Sequence, residues 1–364
     1  MAAKDPARYA PDGKARARGW ELPLPGITGK NNAITDVPGV SVGYTTLSDP
    51  AKPEIQTGVT ALLPRPPGEL LCPVWGGHFA MNGNGEMTGC HWLQEAGWFT
   101  GPITLTNSFS VGVAHHGTQR WMITHHGEEL RRHRLWLLPV TAETYDGWLN
   151  DIYGQHVQEE HVLAAIDGAR TGPLAEGAVG GGTGMIAYEF KGGTGTASRL
   201  VDLNDNTYTL GVLVQANHGL RPWLTVCGQP VGKQMPGPSI WAHEHGSIIV
   251  ILATDAPLLP IQLQRLARRA AIGIGRGGTP SGNNSGDIFL AFSTANNPGP
   301  LPEPSQFRFD TLNNDGLDPL FMAAVEAVDE AILNAMLASS ACTGYKGRHV
   351  EALDPSRLLQ LLKA

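Results

Sequence analysis

An apolar run preceded by a Gly-Ser pair constrains this chain more than any other stretch of its sequence. Residues 246–252 read GSIIVIL, and Ile248 to Leu252 form the most apolar short run in the protein. β-branched runs of this length are typical of strands that are buried on both faces. The chain is therefore expected to contain a covered sheet, with Gly246 and Ser247 in the turn that enters one of its core strands.

The same pair allows a second interpretation, in which the Gly246-Ser247 bond is a self-cleavage site. Cleavage would place a serine with a free α-amine at the start of the core strand. An unperturbed α-amine has a pKa of about 7.7 to 8.0, so it can act as a general base for the hydroxyl of its own residue. The residues alone leave the turn and the cleavage site as open alternatives.

Composition indicates a globular protein of the size of an enzyme and argues against two classes of partner, nucleic acid and membranes. The 364 residues are 41% hydrophobic, which is enough for a large core, and 46 glycines and 27 prolines indicate many turns. Only 16% of residues are charged, the formal net charge is -7, and no long basic run occurs, so nucleic acid is not an expected partner. No window has the length of a membrane span, so a membrane is not expected either.

The cysteines and the N-terminal stretch predict a cytoplasmic protein. Cys72, Cys90, Cys227 and Cys342 are far apart and lack the CxxC spacing, so we expect reduced thiols rather than a zinc site or a disulfide framework. The first 20 residues have basic side chains but no apolar segment of the kind found in secretory signals, so export is not expected.

Hydrophobic periodicity predicts strands in blocks and helices in blocks. From Ile34 to Val140 short apolar runs alternate with turns, and four of these runs resemble strands: ITDVPGVSVGYTTL, TGVTALLPR, PITLTNSFSVGV and RLWLLPV. Helical periodicity occurs in EEHVLAAIDG, QLQRLARRAAIGIGR, LDPLFMAAVEAVDEAILNAMLA and DPSRLLQLLKA. This order favours sheets with helices packed outside them. Only residues 228–245, rich in Gly and Pro, suggest a boundary, and we expect them to form an exposed, cleavable linker.

Thirteen histidines raise the possibility of a metal site, which their spacing does not support. The motif HHG occurs at His115-His116 and again at His125-His126, and His243 and His245 flank one residue. No HExxH motif or His/Cys pair at zinc spacing accompanies them. We therefore expect hydrogen-bonded or solvated histidines and no metal.

Two other common motifs are missing or incomplete. The segment GGGTG at 180–184 lacks the Gly-Lys-Ser/Thr ending of a phosphate-binding loop, so close backbone packing near a site is the better interpretation. No GxSxG motif is present, which disfavours an α/β-hydrolase. The sequence predicts no cofactor.

Longer blocks of sequence resemble one known family. The stretch HGSIIVILATDAPLLPIQLQRLARRAAIGIGR, followed by SGNNSGDIFLAFSTAN, is similar to the self-processing region of the L-aminopeptidase D-amidase/D-esterase and β-aminopeptidase family. Further similar blocks occur in family order from about Ile34 to Ala338, and include PITLTNSFSVG, PVTAETYDGWLNDI and GVLVQANHG. Around Tyr145 and Ser247 the L-aminopeptidase D-amidase/D-esterase branch is matched most fully. The resemblance implies an α+β fold, a four-layer αββα sandwich of the N-terminal-nucleophile-hydrolase type.

The resemblance also implies the residues around the cleavage site. It places the nucleophile at Ser247 and the cleavage point between Gly246 and Ser247. The serine and acidic residue that assist the freed amine fall on Ser285 and Asp287. These two residues flank Gly286, so an extended backbone would aim both side chains to one side. Some family members have glutamate where this chain has Asp287, so the shorter side chain is expected to need a water or a shifted loop to reach the amine.

Three further residues match family positions that contact the substrate. Asn217 matches the amide of the oxyanion hole, and Tyr145 matches a phenol near the substrate carbonyl. Glu143 matches the carboxylate that receives the substrate's ammonium group. The two HHG motifs depart from the family pattern and are left without a role.

The implied activity is that of a self-processed serine aminopeptidase and amidase. Fragments 1–246 and 247–364 would stay together as one domain, repeated in a homotetramer. Its substrates would be short peptides, amino-acid amides and esters with a free amino group, hydrolysed through an acyl-enzyme. One alternative is an acyltransferase of the ornithine acetyltransferase type, against which Ser247 argues because that type uses threonine. The other is an uncleaved, non-catalytic binding protein of the same fold.

Overall fold

The computed structural model describes residues 4–203, 205–300, 306 and 308–363. The strands, in chain order, are β1 Ser41–Asp49, β2 Lys52–Leu63, β3 Val74–Gly83, β4 Trp98–Phe99, β5 Ile103–Asn107, β6 Val140–Thr144, β7 Ile186–Ala187, β8 Phe190–Lys191, β9 Gly193–Leu203, β10 Asn206–Asn217, β11 Ser247–Thr254, β12 Gly286–Ser293, β13 Cys342–Thr343 and β14 His349–Val350. The helices are α1 Cys90–Ala96, α2 Val111–His133, α3 Glu159–Asp167, α4 Pro260–Ala267, α5 Ala270–Arg276, α6 Asp318–Ala338 and α7 Pro355–Lys363.

Two sheets form the centre of the molecule. The first has four strands in the order β1-β2-β5-β6, and the second has six in the order β4-β3-β12-β11-β10-β9. In the second sheet β11 pairs in parallel with β12 and antiparallel with β10. The strand that begins at Ser247 is thus a central strand with a neighbour on each side.

Three apolar cores separate four layers. Side chains from both sheets, such as Leu105 and Ile249, pack together in the middle core. The outer face of the first sheet packs on α2 and α3 through residues such as Ala61 and Trp121. The outer face of the second sheet packs on α4, α5 and α6, with Val250 among the contacts. This order of helix, sheet, sheet and helix confirms the predicted αββα sandwich.

Strand β11 lies between two apolar cores, which explains why its sequence does not alternate between apolar and polar residues. Ile248, Val250 and Leu252 face the helices of one outer layer, whereas Ile249 and Ile251 face the middle core. Successive side chains of a strand point to opposite faces, so a strand between two cores needs apolar residues at both parities. All eight residues of β11 are buried, as the sequence predicted.

The chain between Pro102 and Val140 differs from the prediction of two strands. PITLTNSFSVGV forms only the short strand β5 before helix α2 begins at Val111. RLWLLPV forms no strand until Val140. Helix α2 was missed because small or polar residues, including Gly117 and Thr118, fill many of its buried positions, which weakens the apolar stripe.

The remaining predictions of elements hold with one change. Helices α3, α6 and α7 lie where periodicity placed them, and Asp354 accepts backbone N–H groups at the start of α7. The run QLQRLARRAAIGIGR forms two helices, α4 and α5, rather than one. In the glycine segment, a Cβ on Gly182 would lie 2.3 Å from the backbone nitrogen of Thr194, so the predicted close backbone packing is present.

The segment predicted to be an exposed linker has buried anchor points. Residues 236–239 are exposed, but Val231, Met235 and Glu244 are buried. Of the helices in the described ranges, none is both long and apolar enough to cross a membrane.

Candidate active site

Ser247 is the first residue of β11 and is only 3% exposed. It lies opposite Asn217, the last residue of β10, and opposite Gly286, the first residue of β12. Three strand ends therefore meet at the predicted nucleophile. Because each end is fixed by a ladder of backbone hydrogen bonds, the sheet holds the backbone of Ser247 in place.

Asn217 projects from β10 to the same side of the sheet as Ser247. Ile249, two residues after Ser247, lies in the middle core, and so does Leu213, four residues before Asn217, so both polar side chains face the first sheet. The Asn217 Oδ1 accepts a 2.8 Å hydrogen bond from the Ile186 N–H, and its Nδ2 donates to the Tyr145 carbonyl at 2.9 Å. The amide is held firmly and keeps a second N–H, as an oxyanion donor requires.

Asp287 lies on the other face of the sheet, next to the backbone of the nucleophile. Its Oδ1 accepts from the Ser285 hydroxyl at 2.7 Å and from the Ile248 N–H at 3.2 Å. Ser285 and Asp287 therefore point to one side of an extended backbone, as their spacing predicted. The shorter side chain reaches the backbone of the residue after Ser247 directly, so the expected water or shifted loop is not needed for that contact.

Burial raises the pKa of Asp287, while hydrogen bonds from Ser281, Ser285 and Ile248 act in the opposite direction. The Ser281 hydroxyl donates to the second carboxylate oxygen, Oδ2. Three donors thus converge on one buried carboxylate that has no cationic partner among the described residues. Such a group can take a nearby ammonium as its missing counter-ion.

The Gly246-Ser247 peptide bond lies next to the ends of β10 and β12. The Gly246 carbonyl accepts a hydrogen bond from the Gly286 N–H at 3.3 Å. A Cβ at position 246 would lie 2.2 Å from the Asn217 carbonyl oxygen and 2.7 Å from the His218 Cα. Only glycine allows the chain to pass Asn217 this closely.

Glu143 is near the end of β6 and is 5% exposed. Its Oε1 accepts from the Glu86 N–H at 3.0 Å, and its Oε2 accepts from the Ser108 hydroxyl. A Cβ on Gly85 would lie 3.1 Å from this Oε1 and 3.3 Å from the Gly286 Cα, so Glu143 and the strand end beside Ser247 are separated by one glycine. Burial raises the pKa of Glu143, and the carboxylate has no cation next to it among the described residues.

Tyr145 completes the set of predicted residues. Its side chain is 40% exposed, and burial, followed by the proximity of Tyr153 and Asp146, raises the pKa of its hydroxyl, which keeps that group a proton donor at neutral pH. The tyrosine lines a small cavity together with Asn217 and Gly246. The structure therefore brings the predicted phenol, amide and cleavage point to one place.

Sequence analysis missed three residues that bind these groups or the turns beside them. Ser108 bonds to Glu143, and Ser281 bonds to Asp287. Glu244, three residues before Ser247, is buried and accepts hydrogen bonds from Gly219 and Gly282. Ser281 had one usable signal, since it opens the SGNNSGD stretch that contains Ser285 and Asp287. Glu244 lies between His243 and His245 in the sequence and belongs to no motif that indicates a role.

The histidine motifs do not contribute to this site. Both HHG motifs lie in α2, where His116 contacts Glu159 and His125 stacks on Trp121. Within the described ranges, no group of three or more His, Cys, Asp or Glu side chains could hold a metal ion.

Known proteins with similar sequences and structures have the activity class that this geometry supports. Residues 32–350 match peptidase family S58. The chain is 47% identical to the beta-peptidyl aminopeptidase BapA of Sphingosinicella microcystinivorans, over 96% of this chain and 92% of that relative. It superposes on the L-aminopeptidase D-Ala-esterase/amidase of Ochrobactrum anthropi, a serine aminopeptidase with a variant of the Ntn hydrolase fold, with a TM-score of 0.91 and 49% identity. That match covers 96% of this chain and 98% of the other.

A beta-aminopeptidase from a Burkholderia species gives a TM-score of 0.89 at 45% identity, over 96% of this chain and 98% of its own. Relatives of both the L-aminopeptidase and the β-aminopeptidase kind thus match at similar identity over nearly their whole length. The family match covers most of the chain, and the structure superposes on the two solved relatives over 96% of its length. The chain therefore belongs to peptidase family S58 and is a serine aminopeptidase.

Proposed function

We propose that the intact chain cleaves its own Gly246-Ser247 bond and that the α-amine released on Ser247 is the base for hydrolysis of substrates with a free amino group. The observation that carries this proposal is the position of Ser247. It starts a buried central strand between Asn217 and Gly286, and Asp287 binds the backbone of the next residue. The proposed products are fragments 1–246 and 247–364, which remain one αββα domain because β11 and β12 lie inside a sheet of the larger fragment.

Self-cleavage begins with attack of the Ser247 hydroxyl oxygen on the Gly246 carbonyl carbon. Negative charge develops on the Gly246 oxygen, to which the Gly286 N–H donates in the intact chain. The bond between the Gly246 carbon and the Ser247 nitrogen then breaks, and the nitrogen takes up the proton that the hydroxyl lost. Water hydrolyses the resulting ester, which leaves a carboxylate on Gly246 and restores the Ser247 hydroxyl beside a free amine.

Substrate hydrolysis repeats the attack with the free amine as base. The amine accepts the proton of the Ser247 hydroxyl as the oxygen attacks the substrate carbonyl, while Asp287 and Ser285 hold the amine in place. Asn217 and Tyr145 donate to the developing oxyanion, and one such donor is worth about 3 to 4 kcal/mol in other hydrolases. The amine then protonates the leaving group, and water hydrolyses the acyl-enzyme.

Glu143 selects substrates with a free amino group in this proposal. Its carboxylate is buried and has two neutral donors but no cation among the described residues, so a substrate ammonium supplies the missing charge. Short peptides, amino-acid amides and amino-acid esters meet this requirement. The names of the relatives support both β-peptides and L-amino-acid derivatives as substrates.

Assembly as a homotetramer and a cytoplasmic location belong to the same proposal and are supported by the family resemblance. Light scattering on the purified protein should give four times the mass of one chain. A monomer would remove the tetramer from the proposal and leave the chemistry unchanged.

A matched pair of substrates tests the proposed function. Wild-type protein should hydrolyse an amino-acid amide and should leave its N-acetylated form nearly untouched, because acetylation removes the charge that Glu143 binds. Ser247→Ala should stay uncleaved and hydrolyse neither. Equal rates on both amides would exclude the role of Glu143. A wild-type chain that stays intact and inactive would favour the non-catalytic binding protein.

A further inference from the structure

We propose that Glu244 is a positioning residue for self-cleavage, because its carboxylate ties the segment before the cleavage point to the two backbone turns that flank Ser247. This inference rests on the self-cleavage proposed above. Neither the family match nor the resemblance in sequence assigns a role to Glu244, and its neighbours His243 and His245 are exposed.

The contacts of Glu244 converge from two separate parts of the chain. The side chain is buried, with 5% of the residue exposed. Its Oε1 accepts from the Gly219 N–H at 2.5 Å and from the Thr279 hydroxyl at 3.3 Å. Its Oε2 accepts from the Gly282 N–H at 2.6 Å. No Lys, Arg or His of the described residues pairs with it, so these three donors are what stabilise the buried charge.

The first of these contacts reaches the oxyanion side of the site. Gly219 is two residues after Asn217, and the Asn217 carbonyl lies against Gly246 so closely that no Cβ fits between them. The hydrogen bond from Gly219 to Glu244 therefore holds residues 244–246 against the end of β10. A change in this contact moves the scissile carbonyl relative to Asn217.

The second set of contacts reaches the other side of Ser247 through Asp287. Thr279, which donates to Glu244, also accepts from the Ser281 N–H at 3.1 Å. Ser281 has a left-handed backbone, with φ of 60°, and its hydroxyl donates to Asp287. Non-glycine residues adopt this conformation only where surrounding contacts hold it. Glu244 thus supports the turn that presents Ser281 to Asp287.

A second buried carboxylate offers a matched control. Glu189 is 3% exposed and binds the same segment farther from the cleavage point, where its Oε1 accepts from the N–H groups of Ile240 at 2.6 Å and Trp241 at 3.1 Å. If Glu244 only tethers the segment, Glu189 should matter equally. If Glu244 aligns the scissile bond with both turns, its loss should have the greater effect.

The test follows self-cleavage of newly made full-length chains. Wild type, Glu244→Gln, Glu189→Gln and Ser247→Ala are synthesised with a short radioactive pulse, and intact chain is measured over time on denaturing gels. Glutamine keeps the size of the side chain but turns an N–H₂ group towards backbone N–H donors. We expect Glu244→Gln to slow cleavage at least tenfold and Glu189→Gln to change it by less than about twofold.

Mature protein provides a readout that a general loss of structure would not give. In the cleaved fraction of Glu244→Gln, kcat should fall while KM for an amino-acid amide stays within about twofold, because Glu244 supports Asp287 and does not contact the ammonium-binding Glu143. If Glu244→Gln does not fold, Thr279→Val removes the hydroxyl that links Glu244 to Ser281 and should slow cleavage by a smaller factor.

The outcomes separate this inference from the function on which it rests. Wild-type chains that never cleave would end the self-cleavage proposal itself. Wild-type chains that cleave while folded Glu244→Gln cleaves at the same rate would overturn the role of Glu244. Equal slowing by Glu244→Gln and Glu189→Gln would also overturn it and leave tethering as the explanation.

Discussion

Buried carboxylates in two regions of the protein have opposite surroundings. Near Ser247, the carboxylates of Asp287 and Glu143 accept hydrogen bonds from neutral donors only, and burial raises the pKa of each. In helix α6, Glu330 is also fully buried but pairs with Arg199 at 2.8 Å and with Arg18 at 2.9 Å. Burial acts to raise the pKa of Glu330 as well, but Arg199, Arg18 and Asn32 outweigh it and hold the pKa below its ordinary value.

The presence or absence of a cationic partner divides these buried carboxylates into two groups. Those of the first group form ion pairs within the chain, and those of the second have no cation beside them among the described residues. Glu330 has its counter-ions within the chain, and through Arg18 it fixes part of the N-terminal segment before β1 to α6. In the proposed function, the carboxylates around Ser247 gain a counter-ion when the α-amine is formed or a substrate ammonium binds. We therefore expect mutations in the first group to change stability and mutations in the second to change catalysis.

The largest expected effect is that of Asp287→Asn on catalysis. Removing the charge should lower kcat/KM by about a hundredfold or more, because the base loses its orienting partner. It should also slow self-cleavage, because in the intact chain Asp287 binds the backbone N–H of Ile248 beside the scissile bond. An anion next to the α-ammonium raises the pKa of that ammonium, so its removal should shift the acid limb of the kcat/KM profile to lower pH. The check is a pH-rate profile of cleaved, folded variant. An unchanged limb would mean that Asp287 does not interact with the base.

Glu330→Gln should have the next largest effect, on stability alone. Breaking a buried ion pair from one side typically costs about 3 to 5 kcal/mol. Urea unfolding in the Ser247→Ala background, where the chain stays whole, would measure this loss. The kcat/KM of the cleaved Glu330→Gln protein should remain near that of the wild type at temperatures where it is folded.

The pH dependence of that stability gives a further check. Because the pKa of Glu330 is lowered in the folded state, its contribution is fully present above the ordinary glutamate pKa of about 4.3 and is lost as pH falls through the lowered value. The urea midpoint of the Ser247→Ala protein that keeps Glu330 should therefore fall more steeply on acidification than that of the same protein with Glu330→Gln. Parallel curves would show that Glu330 is not stabilised as an anion.

Glu143→Gln should weaken catalysis by a smaller factor and leave maturation intact. Loss of one charge-assisted contact predicts about a 10- to 100-fold lower kcat/KM for free-amine substrates. Since burial raises the pKa of Glu143, the KM of wild type should rise as pH falls through that raised value, and this dependence should be absent in the variant. A variant that hydrolyses amides at the wild-type rate would assign Glu143 another role.

An exposed pair gives the smallest expected effect and serves as the reference for both groups. Glu128 pairs with Arg132 at 2.8 Å on the surface of α2, and both side chains are more than half exposed. Such pairs contribute about 0.3 to 0.5 kcal/mol. Glu128→Gln should therefore cause only a very small shift of the urea midpoint and leave kcat/KM unchanged.

The sequence predicted the parts of the fold that depend on simple periodicity. The run after Ser247 identified a strand between two apolar cores, and the spacing of Ser285 and Asp287 placed both side chains on one side of a strand. Helix α6 was evident from its continuous apolar face. Helix α2 was not, because small or polar residues fill much of its buried face, among them Gly117, where a Cβ would lie 2.8 Å from the Val162 Cβ of α3.

The active site could be predicted only as far as the family blocks extend. Asn217, Tyr145 and Glu143 are ordinary residues in isolation, and their ordered occurrence with Ser247 carried the prediction. Glu244 carries no motif, because its partners are backbone N–H groups 25 and 38 residues away in the chain. Contacts of this kind depend on how turns meet in space, which periodicity does not encode.

The mass of the denatured, purified protein tests the central claim most directly. Cleavage between Gly246 and Ser247 should give two species of about 13 and 26 kDa, in proportion to the 118 and 246 of 364 residues in the two fragments, from a chain of 38.8 kDa. The smaller species should begin at Ser247 with a free α-amine, and Ser247→Ala should give one species of 38.8 kDa. A single full-length species from active wild-type protein would contradict the account, because no α-amine would then exist at Ser247.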